Sequence, residues 1–375
     1  MNTVYLDNAA TSFPKPQGVS DRMKYYLDCV GANVNRSVYT VAQEAGLVTL
    51  TLRQRLARLF RFPEPPTHVI LTPGATFALN TLISGLLRPG DHCIVSGMEH
   101  NAVMRPLLRL PEVSVSRLPC DSEGFADAAA LPDLLRDNTK LVVMAHGSNV
   151  CGTVQDAEAI GRICADRGVP FALDAAQTAG HLPIDFSALH LSALAVPGHK
   201  GLLGPHGTGA LWVADGVTLA PLRQGGTGSA SESMFQPRIM PDSLESGTLN
   251  LPGIAGLYAG MRFALAHQQE ARETTAALCG MMRDALREMA GVRVYTRADA
   301  SLLSFNVAGI ASQVVASALD EQGIAVRGGL HCAPGVHRFL GTLNIGAVRV
   351  SPGLMNTAAE ARKLIDAVWK SAKAC

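Results

Sequence analysis

Charge of one sign, long apolar runs and paired cysteines are all scarce in this chain. Thirty-two lysines and arginines face 31 aspartates and glutamates, a formal net charge of +1. Nothing marks the basic stripe that a nucleic-acid partner requires. The longest apolar stretches fall well short of the roughly 20 residues that cross a bilayer. The N-terminus, MNTVYLDNAATSFPKP, places an acid at Asp7 and lacks the basic-then-apolar pattern of a secretory signal. The expectation is a cytoplasmic protein with no nucleic-acid and no membrane partner. The eight cysteines include no C-x-x-C pair and no zinc-like pairing with histidine, so neither a metal site nor a disulfide framework is expected. Most of these thiols fit the role of small buried hydrophobes.

What remains is a globular composition, 47% hydrophobic and 17% charged. A chain of 375 residues is too long for one simple core and divides into two domains. Between residues 65 and 215, short apolar runs alternate with helical spacing. His68–Thr72, Cys93–Ser96, Leu141–Ala145, Phe171–Asp174 and Ala210–Val213 read as buried strands, and Ala75–Leu87, Asn101–Arg109 and Asp156–Arg167 as helices. That alternation implies an α/β fold with a mostly parallel sheet, whose ligands bind beyond the C-terminal strand ends. Gln224–Ser233 is a Gly- and Ser-rich loop. Residues 252–289 look helical. A second, smaller α/β unit then follows, with strands at Leu302–Val307, near Ile324–Arg327 and at Ala347–Val350, and helices at Ala311–Gln322 and Ala358–Lys370.

Three short segments fall just after predicted strands. Pro73-Gly74-Ala75-Thr76 opens a helix, where backbone N–H groups, the helix dipole and a hydroxyl suit a phosphate; a plain strand-to-helix turn capped by Thr is the alternative. Leu173-Asp174-Ala175-Ala176-Gln177 ends a strand on an acid, which burial tolerates only beside a cation, unless the acid merely caps the next helix. Pro197-Gly198-His199-Lys200-Gly201 places a lysine between an apolar run and a glycine-rich loop. A desolvated lysine there is a Schiff-base candidate; a solvated loop lysine is the alternative. Asp174 and Lys200 are one strand–helix–strand unit apart, so both can reach one ligand.

In combination these segments resemble the fold-type I pyridoxal 5'-phosphate (PLP) enzymes, specifically the class V aminotransferase and cysteine desulfurase family. The resemblance begins at Tyr5-Leu6-Asp7-Asn8-Ala9-Ala10 and runs over essentially the whole chain. It implies a large PLP-binding domain over residues 16–254. It also implies a small domain of residues 1–15 and 255–375 that carries a catalytic cysteine. Lys200 is then the lysine that carries the cofactor, Asp174 the partner of its pyridine nitrogen, and Gln177 the partner of its phenolic oxygen. His100, in Met98-Glu99-His100-Asn101, is implied to stack on the ring. Asn149 is implied to lie near the phenolic oxygen and the substrate carboxylate. Ala75, Thr76 and His199 are implied to hold the phosphate. Thr248, in Glu245-Ser246-Gly247-Thr248, resembles a threonine that reaches a phosphate across a homodimer interface.

Arg327-Gly328-Gly329-Leu330-His331-Cys332-Ala333-Pro334 resembles the cysteine segment of group II cysteine desulfurases, the SufS-like and selenocysteine lyase-like branch. The resemblance makes Cys332 the nucleophile that becomes a persulfide, with Arg327, His331 and the cofactor site as the cationic groups that favour its thiolate. His100 is implied to move protons. Arg349 resembles the arginine for the substrate α-carboxylate, and Arg36 is placed in a neighbouring chain's site. Pro197 departs from the pattern, standing where many relatives have a Ser or Thr on the phosphate. The implied reaction turns L-cysteine into L-alanine and passes sulfur to an acceptor protein. Three alternatives stay open: selenocysteine lyase or cysteine sulfinate desulfinase, aminotransferase or C–S lyase with Cys332 a bystander, and a non-catalytic PLP-binding sulfur-delivery protein.

Overall fold

The structure, a computed structural model, describes residues 3–34, 39–297 and 300–373. Thirteen strands are defined among them: β1 (Val4–Tyr5), β2 (Val69–Thr72), β3 (His92–Ser96), β4 (Ser114–Leu118), β5 (Thr139–Ala145), β6 (Phe171–Asp174), β7 (Ala193–Pro197), β8 (Gly209–Val213), β9 (Val292–Val294), β10 (Leu303–Val307), β11 (Ile324–Ala325), β12 (Arg327–Gly329) and β13 (Ala347–Val350). Seven of them form one sheet in the order β2-β8-β7-β6-β5-β3-β4. All its pairings are parallel except the two made by β8. Strands β2, β3, β6, β7 and β8 are buried along their whole length, which is why they read as unbroken apolar runs rather than alternating ones.

Two apolar cores cover the faces of this sheet. One holds Leu52, Leu56, Phe60, Phe171, Trp212 and Leu257; the other holds Ile70, Leu79, Ile83, Val103 and Leu211. Helix Leu251–Ala266 packs into the first. Its start is set by Asn250, whose side chain accepts from the Gly253 N–H, and by Pro252 in the first turn. Helix Gln268–Arg287 follows after His267 and turns instead to a third core with Leu278, Met282, Phe305, Val348 and Leu364. That core underlies a four-stranded antiparallel sheet, β12-β13-β10-β9. The N-terminal strand β1 pairs in parallel with β11, so the first residues lie with this smaller unit.

The expected strands and helices with stated bounds fall within a few residues of these, with one division and one correction: the unit from Asp174 to Lys200 is strand–loop–strand, with no helix between β6 and β7. The run near Ile324–Arg327 is two strands in two sheets, broken at Val326. Strands β4, β7 and β9 and the helices Gln17–Tyr25, Thr40–Leu59 and Pro334–Phe339 were not marked by the sequence patterns used above. The Gly- and Ser-rich loop belongs to a long irregular stretch from β8 to Asn250.

Candidate active site

A cavity of about 560 Å³ opens at the C-terminal ends of the parallel strands. Its lining gathers Ala75 and Thr76 beyond β2, His100 beyond β3, Asn149 beyond β5, Asp174 at the end of β6, Gln177, and His199 and Lys200 beyond β7. Residues scattered over 126 positions of sequence thus share one space because each follows a neighbouring strand of one sheet. Helix Ala75–Leu86 begins at this wall, and no side chain caps it. Gly209 permits the approach: a Cβ there would stand 2.7 Å from the Gly74 Cα.

Lys200 is desolvated, and burial pushes its amine down to about 8. The Asp174 carboxylate opposes that shift, while Arg349 and Arg327 add to it. Asp174 is 4% exposed; burial raises its pKa, against the Ala176 N–H, which it accepts at 2.9 Å, and the charge of Lys200. His100 caps helix Asn101–Arg109: its Nδ1 accepts from the Ala102 N–H at 3.0 Å, so the ring's proton is on Nε2. Burial, then Lys200, hold that ring neutral down to about pH 4. Gln177 Nε2 donates to the Ala9 carbonyl at 3.2 Å, which turns the side chain by way of the N-terminal segment.

That segment also fixes the peptide ahead of Lys200. The His199 carbonyl accepts from the Ser12 N–H, the Thr11 and Ser12 hydroxyls and the Lys15 ammonium, the last at 2.7 Å. Ser12 Oγ reaches the Lys200 carbonyl as well. Sequence reasoning left Lys15, Ser12, Glu99 and His146 unassigned. Glu99 is 2% exposed under the site, accepting from Ser96 Oγ and the Ala145 N–H; burial pushes its carboxyl up to about 8. His146, also buried, bonds Thr178 Oγ1 at 2.9 Å. The sequence signal for Glu99 and Lys15 was adjacency alone, Glu99 beside His100 and Lys15 in the opening motif.

Cys332 is solvent-exposed and does not line the cavity, but the turn that carries it is bonded to Asn149, which does. The Asn101 N–H donates to the Cys332 carbonyl at 2.8 Å, and Asn149 Nδ2 donates to the His331 carbonyl at 2.6 Å. His331 is no cation: burial, then Arg349, push its ring down to about 3. That corrects its expected part in stabilising a thiolate. Arg349 is buried, donating from Nη1 to the Asn149 carbonyl at 3.1 Å and from Nη2 to Asp7 Oδ1 at 2.7 Å. Arg327 stands opposite Arg349 across the β12–β13 pair. Thr248 lies exposed in a separate cleft with Thr72, Phe77 and Arg223 and does not enter this cavity. Arg36 lies outside the described residues.

A family model described as aminotransferase class-V matches residues 4–364. The chain belongs to that family. A probable cysteine desulfurase of Methanothermobacter thermautotrophicus is 34% identical over 96% of this chain and 92% of its own length. The cysteine desulfurase CsdA of Escherichia coli is 31% identical over 97% of this chain and 93% of its own. Among solved structures, an apo cysteine desulfurase from Thermococcus onnurineus NA1 superposes with a TM-score of 0.92. It covers all of this chain and 95% of its own at 30% identity. Among the described residues, no helix is long and apolar enough to cross a membrane.

Proposed function

We propose that this family member is a cysteine desulfurase that holds PLP on Lys200 and takes sulfur from L-cysteine onto Cys332. The observation that carries the reading is the pinning of the His331–Cys332 turn to Asn149, which lines the cavity that holds Lys200, and to Asn101, next to His100 of that lining. The residues present fit PLP. An uncapped helix start at Ala75 and Thr76 offers N–H groups to a phosphate. His199 Nδ1 is buried with no partner among the described residues, a polar atom waiting for one. Asp174 is a buried carboxylate suited to a protonated ring nitrogen, and the depressed amine of Lys200 suits a Schiff base.

When bound, PLP supplies an electron sink for the charge left at the substrate Cα. Lys200 removes the α-proton with its amine, which burial keeps partly neutral at pH 7. His100 holds its proton at Nε2 and passes it there. The Cys332 thiolate attacks the substrate sulfur: an S–S bond forms, the substrate Cβ–S bond breaks, and its electron pair stays with the carbon that becomes the methyl of alanine. Arg349 meets the α-carboxylate with Nη2, giving up Asp7 for it, while the Asn149 carbonyl keeps its bond to Nη1.

The working unit is a homodimer. Met234, fully exposed, and Phe235, 86% exposed, stand on the irregular stretch between β8 and Asn250, an apolar face that a second copy covers. Thr248, on the same stretch, then reaches the phosphate of the neighbouring site. The exposed Cys332 sulfur is open to an acceptor protein. Localisation in the cytoplasm goes with this reading.

The test mixes purified holoenzyme with L-cysteine and a reductant and measures sulfide and alanine for wild type and Cys332→Ala. Equal amounts of both products, lost in the variant, are expected. Full activity in the variant, or pyruvate in place of alanine, would make the chain a lyase or aminotransferase on the same scaffold.

A further inference from the structure

Two consecutive non-glycine residues occupy the left-handed region: His331 at φ 49° and Cys332 at φ 57°. Each such residue is strained, so the pair persists only because its surroundings hold it. The holders come from both units of the fold. On the large-sheet side, Asn149 Nδ2 takes the His331 carbonyl and the Asn101 N–H takes the next one, at Cys332. On the small-sheet side, the His331 ring is 5% exposed and its Nε2 bonds the Ala347 carbonyl of β13 at 3.0 Å. A carbonyl can only accept, so Nε2 carries the ring's proton. Nδ1 is then a buried lone pair, with no partner among the described residues. A ring fixed in this way works through its N–H rather than through charge.

We propose that His331 is a positioning residue for the Cys332 sulfur. Its ring, tied to Ala347, joins Asn149 and Asn101 in holding two successive peptides in the left-handed turn that carries the sulfur, next to the His100–Asn101 helix start. The inference rests on the desulfurase reading above. Its physical sense lies in the side chain of cysteine, which has one rotatable bond before the sulfur. With the backbone fixed, the sulfur has only a few staggered positions. If the backbone is loosened, the sulfur is misplaced by an ångström or more, a displacement that costs on the order of 100-fold in rate.

The experiment compares holoenzymes carrying His331→Leu, His331→Gln and Cys332→Ala with wild type. Glutamine offers an uncharged N–H at a reach comparable to that of Nε2, while leucine offers none. For His331→Leu, kcat for sulfide release from L-cysteine should fall on the order of 100-fold, with KM and the cofactor absorption band unchanged. His331→Gln should return kcat to within roughly threefold of wild type, with the pH–rate profile of wild type. Should His331→Leu fail to fold, His331→Ala, which leaves space instead of bulk, is read the same way. The proposal is overturned if glutamine is as inactive as leucine, since the ring would then act through protonation. It is overturned equally if leucine is fully active, or if leucine shifts KM and the absorption band along with kcat. An active Cys332→Ala instead removes the desulfurase reading itself, which separates the two failures.

Discussion

On the proposed reading the first reaction of Lys200 is capture of the cofactor, and its amine can be titrated through that step. Burial lowers its pKa from 10.5 to about 8. At pH 7 about 10% of it is neutral, against about 0.03% of a solvated lysine, a gain of roughly 300-fold in the form that attacks an aldehyde. The neighbours set the sign of each variant. Asp174 favours the ammonium, so Asp174→Asn lowers the pKa further. Arg327 disfavours it, so Arg327→Gln raises it. Apoenzyme is mixed with PLP between pH 6 and 10, and the initial rate of the absorbance change is plotted against pH. Using one cofactor solution throughout cancels the cofactor's own ionisations between variants. The rate should climb with pH and level off with a midpoint near 8 for wild type, lower for Asp174→Asn and higher for Arg327→Gln. A wild-type midpoint near 10.5, or an upward shift in Asp174→Asn, would refute the argument that desolvation activates this lysine.

Three further outcomes test the frame around the site. Arg53 and Glu245 form a buried two-pronged ion pair, 2.8 and 2.7 Å, between helix Thr40–Leu59 and the segment leading to Thr248. Arg53→Met leaves a buried carboxylate without its cation and should cost about 3 to 5 kcal/mol in urea unfolding, part of it recovered by adding Glu245→Gln; an unchanged midpoint would sink that account. Gly161→Ala places a Cβ 2.0 Å from the Leu189 carbonyl oxygen, a backbone atom, and should lower stability by about 1 to 3 kcal/mol. Equal thermal midpoints would show that the helix shifts freely. His146, His331 and His337 are buried, with pKa values pushed down to about 4, 3 and 4. The unfolded chain therefore binds protons that the folded one does not, and stability falls as pH drops from about 6.5 toward 4, by roughly 2 kcal/mol for each ring at pH 5. Unfolding free energies equal at pH 7 and pH 5 would contradict it.

The sheet was legible because its strands are short and wholly buried, and a run such as Leu141–Ala145 has no polar residue to blur it. β4 was not, since Ser114–Leu118 lies at the sheet edge and alternates weakly with serine and arginine. Helix Thr40–Leu59 carries its apolar residues among threonines, glutamine and arginines, and its buried Arg53 finds an acid 192 positions away. No local pattern announces such a pairing. Of the residues that follow strand ends, Thr76, Asp174 and Lys200 stood out by that position and His100 and Asn149 through the resemblance; strand order brings them into one cavity. Asp7, Lys15 and His331 were harder, since their roles depend on partners contributed by another part of the fold. For His331 the sequence suggested the wrong charge: a histidine next to a candidate nucleophile reads as a cation, and its burial and the arginines near it in the fold count against that.

The strand Val4–Tyr5 has its only strand partner among the described residues in Ile324–Ala325. The residues just beyond it, Thr11 to Lys15, hold the carbonyl ahead of Lys200. A nascent chain short of residue 324 therefore has all seven strands of the large sheet but lacks the strand that pairs with its first residues, and the segment beside Lys200 is held by its own contacts with the large unit alone. On the proposed reading, the surroundings of the cofactor lysine are complete only once the smaller unit has been made.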